Sequence, residues 1–493
     1  MKKKILLVSI ISLSLVCLFF NFGFAKWTSL EENSKPFSGV TLRLIGESLP
    51  PLEGLDQVKN IFEEKTGIKV IIEMYGHEEV IQKTTADFVG KTAIYDVVLN
   101  PHREIGKLAE NGWITPLKNF YDNENLRNPE LSLEGTFLSQ QWFNECCAYK
   151  DTVYGLPFHF ISMFMWYRYD LFEHPEEMAN FKEKYGYGLP SPPITMEDYL
   201  NTAEFFTRKK GEKLAGETLE EDFYGTAIQA ARHVATWYGW LNFLYSFGGR
   251  ELLLDKGSDY GEVVINSPEA IASLEYYKKL LDYSPPGGLT YTWDETQASQ
   301  QQGIVAQAIQ WDDATYAVED PNQSLVAGKM AFSGTPIKEE KMTQIEGWTM
   351  FIPVSSKKQE AAWLFVQWCM EEDSQIAQML HGGASSVRKI YNNEKIKNII
   401  YAPTAVYLKS NEVLKIRKHG DKTGLGVPET FVNAVNPSTG DTTVTIVPKP
   451  TFPEQEWVAE KLQLAVNSVL TGEKTAKEAL EWCQEEIEKE LPE

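Results

Sequence analysis

The chain has 493 residues, with 69 acidic against 47 basic side chains and a formal net charge of −22. A balance of that sign argues against nucleic acid and anionic lipid as partners. Past the first 25 residues no apolar run reaches the roughly 20 residues that a membrane span needs, so a soluble protein is expected there.

The chain opens Met1-Lys2-Lys3-Lys4, stays apolar from Ile5 to Phe20 and reaches Gly23-Phe24-Ala25. A basic start, one apolar stretch and small residues at both positions that a peptidase reads predict a secretory signal, residues 1–25, cut after Ala25. A lipid anchor on Cys17 would need a small residue before it, and Val16 stands there. An uncleaved anchor is the other alternative, and the run is short for one. The mature chain, from Lys26, loses three lysines and no acid, which takes the charge from −22 to −25. It has room for two or three domains of about 100–200 residues. Its four cysteines, Cys146, Cys147, Cys369 and Cys483, permit disulfides in an oxidising compartment without specifying them, and buried thiols are the alternative. No Cys/His spacing suggests zinc, and the seven histidines are scattered; no metal and no cofactor are expected.

Val40–Gly46 reads as a strand, Pro50–Gly54 as a turn and Leu55–Lys65 as an amphipathic helix; Ile68–Met74 and Tyr95–Leu99 read as further strands. That alternation predicts a parallel α/β sheet, whose ligands sit beyond the carboxyl ends of the strands. Those ends are Glu47-Ser48-Leu49 and Asn100-Pro101-His102-Arg103. The polar stretches Asp170–Pro193 and Lys209–Glu221 read as surface insertions. Asn266-Ser267-Pro268-Glu269 reads as a helix start, with a capping residue and proline in the first turn. Thr475–Leu491 reads as a terminal amphipathic helix. With 13 Trp and 22 Tyr the chain is rich in rings that suit the C–H faces of sugars, although most such rings build cores.

The order of segments resembles the extracellular solute-binding proteins of bacterial ABC sugar importers, the maltodextrin- and polyol-binding group. The likeness runs over Phe62–Val70, Tyr95–Val98, Gly112–Leu117 and Tyr154–Pro157, and is most specific at Trp166-Tyr167-Arg168-Tyr169-Asp170-Leu171-Phe172. It resumes at Gly347–Pro353, Lys358–Val366 and Thr471–Leu480. Met196, within Pro193–Asp198, replaces the family's tryptophan, and Gly303-Ile304-Val305-Ala306-Gln307 departs from its usual string.

The resemblance implies an α/β, two-lobed periplasmic-binding-protein fold with the ligand in a cleft between lobes joined by crossing strands. The crossings are expected near Tyr154–Phe160 and Trp348–Val354. One lobe would take residues 26–155 and about 350–385, the other about 160–345 and about 386–493. The implied function is the solute-binding subunit of an importer. It would capture a carbohydrate or polyol by lobe closure and deliver it to a membrane permease, as an exported, periplasmic or cell-surface monomer.

A sugar site needs paired polar groups and an aromatic platform, because an unpaired buried hydroxyl costs about 1–3 kcal/mol. Glu47, His102 and Arg103 stand at strand exits where the family places charged contacts, and an Arg fork can bridge neighbouring hydroxyls. His159 follows a crossing strand; a buried, satisfied histidine is its alternative. Trp311 is expected to stack on the solute and Asp312 to accept from its hydroxyls. One of Trp237 and Trp240 would line the cleft, unless both are a helix's core stripe. Gly347 would let backbone approach the ligand beside Trp348. Arg388 would contact ligand or latch the lobes, a surface ion pair being the alternative, whereas Trp113 and Trp363 are expected in the core. The rival class is a secreted glycoside hydrolase, which needs two carboxyls at a set separation that a sequence does not reveal. A binding protein for a non-sugar solute would share the lobes. No nucleophile elbow, zinc helix or phosphate loop appears to support catalysis.

Overall fold

The computed structural model describes residues 26–137, 140–258, 261–381, 383, 385–393, 445–446 and 452–491; the expected signal, 1–25, lies outside them. Three strands, Thr41–Glu47, Lys69–Tyr75 and Val97–Pro101, form a parallel sheet with Thr41–Glu47 in the middle. Helix Pro50–Thr66 joins the first two. Its first turn is the stretch read as a turn from sequence. Pro50 and Pro51 fit there because the first helical amides need no intrahelical acceptor and proline's fixed φ is already helical.

The strand Gly155–Arg168, 14 residues long, ties the molecule together. Its first half pairs antiparallel with Ile345–Phe351, which in turn pairs antiparallel with Val97–Pro101. Its second half pairs antiparallel with Val305–Trp311 on one side and Met330–Ser333 on the other. Tyr224–Ala227 then adds parallel to Val305–Trp311, so one sheet runs through the protein.

Side chains divide that sheet between two large cores and a small third cluster of Phe164, Trp166, Val318, Val326 and Met330. The first holds Leu42, Val98 and Phe158 with Trp348, Trp363 and Trp368. The second begins on the same long strand at Ile161, and holds Trp237, Trp240 and Ala306 with Leu462 and Leu480 near the C-terminus. Val387 and Ile390 pack in the first core, so that core extends past the boundary near 385 expected from sequence. The polar stretch after Asp170 is not merely a surface loop, since it contains helix Pro175–Tyr185 with Phe181 buried beneath it. Helix Pro268–Lys279 is capped by the Ser267 hydroxyl, and Ala476–Glu490 by a reciprocal Thr475–Glu478 box, as their sequences predict. Cys146, Cys147, Cys369 and Cys483 are buried thiols, none in a disulfide.

Candidate functional site

A cavity of about 990 Å³ opens between the two cores. The first lobe supplies the ends of its parallel strands, Glu47, Tyr75 and Pro101, with His77, Arg103 and Trp348. The second supplies His233, Tyr238, Trp293, Gln310, Trp311 and Asp313. Strand ends are where such groups belong, because a strand's last side chains point past the sheet while its backbone stays paired.

Glu47, His77, Arg103 and Tyr238 form a chain of contacts across the cleft. Arg103 Nη2 lies 3.0 Å from His77 Nε2 and Nη1 donates to the Tyr238 hydroxyl at 2.8 Å, while Nε pairs with Glu456 of helix Gln455–Leu470. A guanidinium only donates, so Nε2 of His77 accepts and its proton sits on Nδ1. Nδ1 then donates to Glu47 Oε2 at 2.8 Å. Arg103 is only 2% exposed and belongs to the first lobe, while both Tyr238 and Glu456 lie on helices packed in the second. This guanidinium therefore spans the lobes.

Aromatic rings form the other wall. The His77 ring meets Trp293 edge-on at 5.7 Å and Trp348 at 5.4 Å between centroids. His233 meets Trp293 at 4.9 Å, and Tyr238 meets Trp311 at 5.4 Å. Trp311 ends its strand, and the short 3-10 turn Asp312–Ala314 that follows brings Asp313 to the cavity. Burial first, then the Glu47 carboxylate and more weakly Asp294, push the Asp313 carboxyl up to about 7, against its own N–H and that of Ala314. Burial lowers the pKa of His233, with His77 adding to the effect.

Of the residues proposed from sequence, Glu47, Arg103, Trp311 and Trp348 line this cavity. Six of the other seven are placed otherwise. His102 is buried behind the wall with Nδ1 against Glu346 Oε1. His159 is fully buried edge-on to Phe158; neither ring nitrogen has a hydrogen-bond partner among the described residues, and burial lowers its pKa to about 3. Trp237 and Trp240 are core, their indole N–H groups donating to Glu251 at 2.8 Å and Ser273 at 3.0 Å. Helix Val234–Ser246 is buried all round, so spacing along it did not reveal that Tyr238 alone of this trio reaches the cavity. Gly347 serves strand packing: a Cβ there would lie 2.6 Å from the His159 carbonyl oxygen and 2.8 Å from the Trp142 ring. Arg388 donates its backbone N–H to Thr136 O at 3.0 Å, on the first lobe and away from the cavity lining. The Asp312 side chain lies outside the described residues.

Sequence reasoning missed His77, His233, Tyr238, Trp293 and Asp313. His77 was within reach, because it begins the helix that leaves the strand Lys69–Tyr75, an exit of the same kind as Glu47. Trp293 starts a helix behind a Thr292–Glu295 capping box, which predicts the helix and not the direction of its first ring.

Two lobes on a shared sheet, with an aromatic and carboxylate-lined cavity between them, define a two-lobed solute-binding protein. The chain belongs to the bacterial extracellular solute-binding protein family, which matches residues 48–376, and with it to a family of exported binding proteins rather than enzymes. It is 22% identical over 384 residues to an erythritol/L-threitol-binding protein of Mycolicibacterium smegmatis, covering 73% of each chain. To a probable amino-acid ABC transporter periplasmic-binding protein of Sinorhizobium fredii it is 23% identical over 378 residues, 76% of this chain and 78% of that one. The crystal structure of an ABC transporter solute-binding protein from Agrobacterium radiobacter K84 with ribitol superposes with a TM-score of 0.69 and 25% identity, over 93% of this chain and 100% of that chain. No described helix is long and apolar enough to cross a membrane.

Proposed function

We propose that this protein is the solute-binding subunit of an ABC importer, and that it holds a polyhydroxylated solute, a polyol or carbohydrate, between its lobes. The observation that carries this reading is the cavity itself. Trp311 and Trp348 approach it from opposite lobes, beside the Glu47–His77–Arg103–Tyr238 chain that crosses between them. Flat rings cover the C–H faces of such a solute, and the polar chain meets its hydroxyls. The relative named for erythritol and L-threitol, and the superposing ribitol complex, support the same solute class. Closure on the solute presents a loaded shape to the membrane permease, which requires that the solute bind the closed form better than the open one. The protein works as a monomer, without nucleic acid, in the periplasm or at the outer face of a single membrane.

A thermal-shift screen of mono-, di- and oligosaccharides, polyols, amino acids, peptides and metal salts, with product analysis on every hit, tests this reading. A saturable shift by a polyol or saccharide recovered intact supports it. A cleaved saccharide makes the protein a hydrolase, and shifts confined to other solute classes remove the polyol reading.

A further inference from the structure

The cavity is lined by eight carboxylates, and among the described residues its one Lys or Arg is Arg103. That guanidinium is already committed to Glu456, Tyr238 and His77. The deepest acids differ in their partners. Glu47 accepts from His77, and Glu346, which reaches the lining, pairs with the buried His102. Asp313 is 9% exposed, its donors are backbone N–H groups, and the charges acting on it most strongly are the carboxylates of Glu47 and Asp294. A carboxylate this buried ordinarily has a cation beside it, since burial without one costs several kcal/mol.

Donor and acceptor counts point the same way. A hydroxyl both donates and accepts, whereas a carboxylate only accepts. The three side-chain amides of the lining are engaged by the protein: Gln310 donates to the Trp293 carbonyl at 2.6 Å and accepts from the Trp311 N–H at 2.9 Å, Gln323 donates to Asp320 at 2.6 Å and Gln297 to Gln301 at 3.5 Å. The lining therefore holds many more carboxylate acceptors than cationic donors. An ammonium brings three donors and no acceptor. The ring faces of Trp293, Trp311 and Trp348 beside these acids are electron-rich, and such faces attract cations within about 6 Å.

Resting on the binding-protein reading above, we infer that the solute carries a cationic group, an ammonium on a polyhydroxylated ring or chain, seated against Asp313 and Glu47 and walled by the tryptophans. An aminated sugar or aminated alditol is the class that satisfies both halves of the cavity.

Matched pairs differing only in the amine decide this: D-glucitol against 1-amino-1-deoxy-D-glucitol, and D-glucose against D-glucosamine, titrated calorimetrically into the protein. The expected result is that the aminated member of a pair binds at least about tenfold more tightly. Asp313→Asn should reduce that preference to about threefold or less. Should Asp313→Asn not fold, the pairs on the unmodified chain still decide. Neutral members binding as tightly as their aminated partners would overturn the charge proposal and leave the polyol reading standing. Binding of a hydroxyl-free polyamine such as spermidine, with no binding of any sugar or alditol, would do the reverse. Silence from all of them removes both.

Discussion

Two charged clusters face each other across the cleft, and they are built on opposite principles. Around Arg103 every charge is answered: the guanidinium is fully buried, yet Glu456, Tyr238 and His77 take its donors from both lobes. Around Asp313 the neighbouring charges, Glu47 and Asp294, have its own sign. A satisfied buried ion network holds two surfaces in register, whereas a buried acid among acids makes the empty site unfavourable in a way that a bound cation relieves. On the readings proposed above, the first cluster serves closure and the second serves recognition.

The largest effect should come from breaking the answered cluster. Arg103→Ala leaves the Glu456 and Tyr238 partners without their cation, and should cost about 3 kcal/mol of stability by urea unfolding. A loss below about 1 kcal/mol would mean the contact is dispensable.

The unanswered cluster should behave in the opposite sense. The Asp313 pKa is raised on folding, so the native state holds a proton that the unfolded chain has already released. Its contribution to stability is intact below about pH 4 and is lost as pH rises towards about 7. Asp313→Asn should therefore stabilise the ligand-free protein at pH 8, by about 2 kcal/mol, and flatten the decline between those limits. An unchanged pH profile would show that the acid is not strained by its neighbours.

On the aromatic wall, Trp311→Ala should weaken solute binding at least about tenfold while the fold survives. Trp240→Phe, made two residues from Tyr238 in the buried helix Val234–Ser246, should lower stability by about 1 kcal/mol through its lost Ser273 hydrogen bond and leave affinity unchanged. Equal effects of the two on affinity in calorimetry would erase the distinction between cavity ring and core ring.

The smallest effect tests a histidine outside both clusters. Burial depresses the His159 pKa, so its contribution is present above about pH 6.5 and is lost as pH falls towards about 3. His159→Phe removes two unsatisfied buried nitrogens and should be neutral or stabilising by up to about 1 kcal/mol, with less loss of stability on acidification. A large destabilisation would mean that the ring nitrogens do have partners.

Much of the architecture was legible in the chain, because strands and helices are local outcomes of periodicity and capping. Leu42, Leu44 and Ile45 announce the first strand, and the Ser267 and Thr475 caps announce two helices. The rule that strand exits carry the site pointed to Glu47 and Arg103. It pointed equally to His102, whose neighbour in the same 3-10 turn faces the cavity while it faces inward to Glu346. Trp311 and Asp313 lie two residues apart where the strand passes into its turn, and the turn's geometry, not local composition, brings both to the cavity.

By itself, then, the sequence determined the alternation of strands and helices, the acidic surface and the aromatic supply, since each follows from residues close together in the chain. Only the tertiary structure decided that Arg103 meets Glu456, 353 residues away, and that Trp293, His233 and Tyr238 converge with His77 on one cavity. Those pairings depend on how two cores are set against each other by a shared sheet, and no local preference of the chain encodes that distance.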